Sequence, residues 1–217
     1  MRSYQELIAV EPAWPEIAAR AEQAPGRVEI LPRAAEAARE ILESLQITLH
    51  SPLGAVAHET GGILVDQGWV RLLGSGHSRL RRTLRRWNEV IHVPLRSFLV
   101  VGDDAVGGVF AVNAGALGPS ISNVHYFAPD TLRWIDLGRR YGDFLDWLMT
   151  GDLATFYASL RWPGWADEIL ALHADTTLHL YPPPWSLEGK DVAKVSRRAV
   201  PAHEMWQLQV SVASQLA

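Results

Sequence analysis

The sequence contains no cysteine among its 217 residues. Disulfides, thiol nucleophiles, iron–sulfur clusters and cysteine-based zinc sites are excluded with it. No apolar run approaches the about 20 residues that a membrane-spanning helix needs, so no membrane partner is expected. Lysine is almost missing as well: of the 20 basic residues, only Lys190 and Lys194 are not arginine. Together with abundant alanine, this reads as the codon bias of a GC-rich bacterial genome. It weakens any argument that a given arginine was selected over lysine for its forked geometry. Met1–Pro15 has no basic stretch followed by an apolar core, so a secretory signal is not expected and the cytoplasm is the expected compartment.

Familiar catalytic signatures are missing too. There is no Gly-x-Ser-x-Gly elbow, which argues against an α/β-hydrolase. There is no Gly-x-x-x-x-Gly-Lys-Ser/Thr phosphate loop. Leu73-Gly74-Ser75-Gly76-His77 imitates a dinucleotide loop but lacks the third glycine and a surrounding βαβ unit, so Gly74 and Gly76 read as turn residues. His58-Glu59 begins like a zinc-protease helix, yet Gly62 stands where the second histidine should be. No cofactor and no metal are implied.

What remains is a composition suited to a folded core: 48% hydrophobic residues, 20% charged and a net charge of −4. A chain of this length buries roughly 70% of the surface its unfolded form exposes, and one domain over residues 1–217 is expected. Ser3-Tyr4-Gln5-Glu6 is a capping box, followed by a short helix that stops before Pro12. Pro15 opens a second helix through about Ala24, ended by Pro25-Gly26. Val28–Leu31 reads as a strand. Arg33–Leu45 reads as a helix, with Ala38, Ile41, Leu42 and Leu45 at helical spacing.

The pattern then turns to short β-prone runs. These are 55–60, 62–65 and 69–73, with a three-residue hairpin loop at Asp66-Gln67-Gly68. Ser78 is expected to cap a helix running to about Asn88. Two more hairpins are expected, 98–102 with 106–112 around Asp103-Asp104, and 124–127 with 132–135. Helical periodicity returns at Tyr141, Phe144, Leu145 and Leu148. Gly151 closes that helix and Asp152 caps the next. A third short helix covers about Ala166–His173, and Leu178–Tyr181 suits a strand. The tail from His203 fits helix or strand spacing; its length and lack of glycine favour helix. Consecutive hairpins flanked by helices make the class α+β, with a mainly antiparallel sheet of about five to seven strands between N- and C-terminal helices.

Three constellations could carry function. His58, Glu59, Asp66 and His77 lie close in sequence, but strand neighbours point to opposite faces, so a metal site is not expected. Asp103-Asp104 could be paired carboxylates; a hairpin turn explains them as well. The sharpest feature is Arg79, Arg81, Arg82, Arg85 and Arg86. On the expected helix, Arg81, Arg82, Arg85 and Arg86 share a face opposite Leu80, Leu84 and Trp87, suited to an acidic protein partner, or a solvated face without function. The net negative charge disfavours nucleic acid. Of the nine tryptophans, Trp134 and Trp147 sit in periodic segments and read as core. Trp69, Trp162, Trp165 and Trp185 stand beside Gly or Pro at strand starts and turns, where they serve either as interface anchors or as lids on the core. Nothing in the sequence fixes or forbids a homodimer.

Glu11-Pro12-Ala13-Trp14, Ser51-Pro52-Leu53-Gly54-Ala55, Glu59-Thr60-Gly61-Gly62-Ile63, Gly68-Trp69, Leu73-Gly74-Ser75-Gly76 and Leu160-Arg161-Trp162-Pro163-Gly164-Trp165 span nearly the whole chain. Through them the chain resembles the bacterial domain-of-unknown-function 2625 family, a resemblance that implies no particular activity. Tyr126-Phe127-Ala128-Pro129-Asp130 through Phe144-Leu145 is more loosely similar to the end of Smi1/Knr4-like domains, whose bacterial members are thought to be toxin-binding immunity proteins. Leu31-Pro32 is followed by Arg33-Ala34-Ala35, unlike that superfamily's Leu-Pro-x-x-Tyr.

The expected function is therefore binding without catalysis, through Arg81, Arg82, Arg85, Arg86, Trp69, Trp162 and Trp165. The alternative is an enzyme or small-molecule site assembled from the dispersed residues Asn113, His125, Asp136 and His173.

Overall fold

A computed structural model describes residues 1–24, 26–92 and 97–216. Its centre is a seven-stranded antiparallel sheet: β1 (Val28–Pro32), β2 (Thr60–Val65), β3 (Val70–Leu73), β4 (Phe98–Asp104), β5 (Val109–Asn113), β6 (Asn123–Ala128) and β7 (Arg133–Arg140). The strands lie side by side in chain order, a meander, because most connections are too short for anything but an antiparallel return. A separate antiparallel pair, β8 (Thr176–Tyr181) with β9 (Ser196–Pro201), stands beside it. The fold is α+β, and the main sheet reaches the upper end of the expected strand number.

Local chemistry sets most element boundaries. Helix α1 (Tyr4–Ile8) opens on the complete capping box: Ser3 Oγ accepts from Glu6 N, and Ser3 N donates to Glu6 Oε2 at 2.7 Å. Pro15 lies in the first turn of α2 (Trp14–Glu22). Pro25, expected to end that helix, lies outside the described residues; Gly26 has φ +77°. Helix α3 (Ala35–Leu45) buries Ala38, Ile41 and Leu42, as its spacing predicts. In the β2–β3 hairpin, Asp66, Gln67 and Gly68 all take positive φ, which only Gly68 adopts without strain.

Three expectations are corrected. The run 55–60 is not a strand. Ser51 accepts from Gly54 N at 3.0 Å, Pro52 follows, and helix α4 (Pro52–Glu59) runs straight into β2. The expected helix from Ser78 begins only at α5 (Leu84–Val90), where Thr83 Oγ1 accepts from Arg86 N at 3.1 Å. Upstream, His77 and Leu80 exchange backbone hydrogen bonds in a tight turn, and the Asp175 carboxylate accepts the backbone N–H groups of Arg81 and Arg82. Asp103 and Asp104 do not form a turn; they end β4 in the interior, and the loop is 105–108. Strand β9 is unanticipated, since its burial alternates weakly and its sequence is basic.

The second half follows its pattern. Helix α6 (Tyr141–Thr150) buries Tyr141, Phe144, Leu145 and Leu148 on the sheet, and Asp152 caps α7 (Leu153–Phe156) through Thr155 N at 3.0 Å. Helix α8 (Trp165–Leu170) follows the Trp162–Trp165 turn, and the tail is the helix α9 (Ala202–Leu216). One apolar core joins helices, main sheet and β8; Leu7, Leu42 and Leu49 form a small satellite under α1. Trp134 and Trp147 are half-buried against the main core.

Candidate functional site

The five arginines separate by environment. Arg79 pairs with Glu29. Arg82 is turned inward: its side chain is 9% exposed, it ion-pairs with Asp103, and Nη2 donates to Ala174 O at 2.7 Å. Its guanidinium also lies 4.6 Å over the Trp87 ring. Arg82 is therefore part of the frame and no contact residue, which corrects its place on a shared helix face. Asp103 also takes Arg71 Nε at 2.8 Å. Burial alone would push the Asp103 carboxyl up, but the two guanidiniums outweigh it and hold it below its ordinary value.

Asp104 is the opposite case. Burial pushes its carboxyl above the ordinary value, and hydrogen bonds from Tyr126 Oη at 2.6 Å, Gly108 N and Val106 N offset this only in part. Burial, with the Asp104 charge beside it, also pushes the Tyr126 phenol far up. These groups lie inside the protein and tie β3, β4 and β6 together, with Arg71 Nη1 reaching Thr176 O of β8 at 2.8 Å.

Arg85 and Arg86 stand on α5 at a groove against α3. Ala37 and Ile41 supply its apolar part and Glu40, Glu89, Arg85 and Arg86 its charges, around about 480 Å³ of water-accessible space. Arg85 Nε donates to Glu89 at 2.9 Å and Nη1 lies 3.6 Å from Glu40. Arg86 and Arg81 are exposed, and among the described residues neither has an acidic partner within ion-pair distance.

The tryptophans form a different unit. Trp69 is fully buried, with ring centroids 5.4 Å from Tyr157, 5.8 Å from Trp162 and 5.2 Å from Trp165. The Arg161 guanidinium lies 4.8 Å from the Trp69 ring and 4.0 Å from that of Trp165, while Nη2 donates to Asp66 at 2.8 Å. Trp162 is buried beneath Arg197 and donates Nε1 to Glu168 at 2.9 Å. Trp69 and Trp162 are thus core residues, correcting their reading as exposed anchors; Trp165 and Trp185 are half-buried.

The dispersed polar residues converge in part. His125 and Asp136 face each other across β6 and β7. Asp136 accepts from Asn123 Nδ2 and Gly138 N; the Ser120 hydrogen bond first, then the Gly138 N–H, hold its carboxyl below the ordinary value. Buried Asn113 ends β5 nearby and organises the loop 114–120, its Oδ1 accepting from Gly115 N and Leu117 N. His173 stands apart, beside Asp175. Of the sequence cluster at 58–77, His58 and Glu59 touch, whereas Asp66 belongs to Arg27 and Arg161. Among the described residues no group of three or more His, Asp or Glu side chains could hold a metal ion. Sequence reasoning missed Arg71, Asp175 and Glu40; only Glu89, four residues after Arg85, carried a visible signal.

A family model described as "Protein of unknown function DUF2625" matches residues 4–205. The chain is 37% identical over 210 residues to the uncharacterized protein YbfG of Escherichia coli (strain K12), covering 96% of each chain. It is 36% identical over 179 residues to an uncharacterized protein of Haemophilus influenzae (strain ATCC 51907 / DSM 11121 / KW20 / Rd), covering 79% of this chain and 78% of that one. No solved structure matches it.

Proposed function

The chain belongs to the DUF2625 family, and we propose that it is a bacterial, cytoplasmic protein-binding domain whose α3–α5 groove receives an acidic segment of a partner. The observation that carries this reading is the state of the groove's cations. Arg86 is exposed without an ion pair among the described residues, and Arg85 is held only by half-exposed carboxylates. Exposed pairs are worth about 0.2–1 kcal/mol, so a partner's carboxylate can replace Glu89 or Glu40 at little cost. Arg81, exposed before the helix, extends the charge beyond the groove. The apolar floor at Ala37 and Ile41 adds contact area. Relatives in two bacteria support the bacterial setting, and no helix among the described residues is long and apolar enough to cross a membrane.

Fluorescence anisotropy with a labelled oligoglutamate peptide tests it. Saturable binding is expected, weakened about tenfold or more in an Arg85→Glu, Arg86→Glu double variant whose circular dichroism is unchanged, a loss of about 1.4 kcal/mol or more. Equal binding by both proteins overturns the reading. So does tighter, steeply salt-dependent binding of single-stranded DNA, which would mark a polyanion surface instead.

A further inference from the structure

The end of α4 carries an arrangement that the groove does not use. Tyr4, the first residue of α1, places its hydroxyl 2.8 Å from His58 Nε2. On the other side of the ring, His58 Nδ1 lies 2.7 Å from Glu59 Oε1. At Nδ1 the Glu59 carboxylate, which only accepts, stands closer than Arg33 Nη1, a donor at 3.3 Å, so Nδ1 carries the ring proton, Nε2 is the acceptor, and the Tyr4 O–H donates to it. The imidazole is 8% exposed, whereas Glu59 is 26% exposed and Tyr4 is half-buried. The base is thus sheltered and its partners reach the surface.

One cation stands at the carboxylate and another over the phenol ring. Arg33 Nη1 lies 3.4 Å from Glu59 Oε2 and 3.3 Å from His58 Nδ1, so its charge is answered by the carboxylate that orients the ring. The Arg39 guanidinium lies 5.3 Å from the centre of the Tyr4 ring. Nucleophile, base and orienting carboxylate stand in hydrogen-bond sequence, the arrangement by which side-chain hydroxyls are activated.

We propose that Tyr4 is an acyl-accepting nucleophile, with His58 as its base and Glu59 as the group that orients and charge-balances the imidazole. In the step, Tyr4 Oη bonds to the carbonyl carbon of an ester and His58 Nε2 takes the phenol proton. The bond from carbonyl carbon to leaving oxygen breaks, and that oxygen departs with the electron pair, taking the proton from His58 Nε2 or, where it leaves as an anion such as nitrophenolate, releasing that proton to water. Water attacking the tyrosyl ester with His58 as base returns free Tyr4 and a carboxylic acid. The site goes beyond the binding reading and uses none of its residues. It is also a site assembled from dispersed residues, though not from Asn113, His125, Asp136 or His173.

The probe is p-nitrophenyl acetate, followed by nitrophenolate release and by peptide mass mapping. Wild type is expected to give a burst approaching one equivalent per chain, with the acetyl group on Tyr4. Tyr4→Phe, which keeps the ring, is expected to lose the burst while its thermal unfolding stays close to wild type. His58→Gln is expected to slow acetylation at least about a hundredfold, the low end of general-base contributions, and to make the rate climb with hydroxide throughout the pH range where wild type levels off. Arg85→Glu, Arg86→Glu is expected to acetylate normally, so failure here and failure of the groove are told apart. Two results overturn the proposal. One is acetyl found on the N-terminal amine, Lys190 or Lys194 at the same rate in wild type and Tyr4→Phe. The other is Tyr4 acetylation indifferent to His58→Gln, which would leave the pair as a clasp between α1 and α4.

Discussion

The Asp103 carboxylate lies between the guanidiniums of Arg71 and Arg82, its side chain 5% exposed and theirs 1% and 9%. Asp175 Oδ1, 3.4 Å from Arg82 Nε, supplies a second carboxylate, so two guanidiniums meet two carboxylates, and the backbone carbonyls of Ala174, Thr176 and Asp104 accept from the same guanidiniums. The cluster joins β3 and β4 to the segment leading into β8. Removing one member leaves the others uncompensated.

Arg82→Ala is therefore expected to destabilise the fold by about 3–5 kcal/mol, the range for breaking a buried ion pair. Arg86→Ala, four residues on, is expected to leave the urea midpoint where it is. Equilibrium urea unfolding of the two variants checks the contrast; equal midpoints would mean that Arg82 carries no structural load.

The pH dependence separates the two adjacent aspartates. Asp103 is held below its ordinary value, so the folded state binds fewer protons there than the unfolded chain, and its stabilisation is lost as pH falls through the folded value. Asp104 is raised, so the folded state binds more protons, and stability declines as pH rises from the ordinary value of 3.8 through the folded one. Asp104→Asn keeps an oxygen for Val106 N and Gly108 N and removes the buried charge. Urea midpoints are expected to fall less from mild acid to neutral pH in this variant than in wild type, while both still lose stability in strong acid through Asp103.

Trp69→Ala is expected to cost about 3–5 kcal/mol, because the ring is fully enclosed by Tyr157, Trp162, Trp165 and Arg161. Thermal unfolding is the measurement. An unchanged melting temperature would contradict the enclosed packing.

Gly108→Ala is expected to be destabilising near the upper end of the about 1–3 kcal/mol range for overpacking. A methyl group at residue 108 would land on the Asp104 carboxylate and the Tyr126 hydroxyl, both fixed by their mutual hydrogen bond. Calorimetry on the variant reads the loss; a wild-type melting profile would show that the loop yields.

Wherever a short-range rule is enough, the chain declares its own structure. Ser3 and Glu6 specify α1, Asp152 specifies the start of α7, and the turn residues 66–68 and 128–132 specify two hairpins. The 3.6-residue period separates α3 and α6 from the sheet, length and the lack of glycine favour helix for α9, and successive hairpins require antiparallel neighbours because short connections permit no other return. The absence of cysteine and of the common nucleotide and hydrolase motifs is equally local information. What a side chain meets from distant sequence is a different matter. Arg82 and Arg86 are both arginines in one polar run, yet Asp175, about ninety residues away, pins the backbone at Arg82 and Asp103 takes its guanidinium into the interior. Trp69 reads as a turn-side aromatic until Arg161 and two tryptophans close over it. Tyr4 and His58 are 54 residues apart and meet only because α1 and α4 both pack against α3. Periodicity and capping act over a few residues. Burial and charge pairing depend on which surfaces the folded chain presses together, and tertiary structure alone decides that.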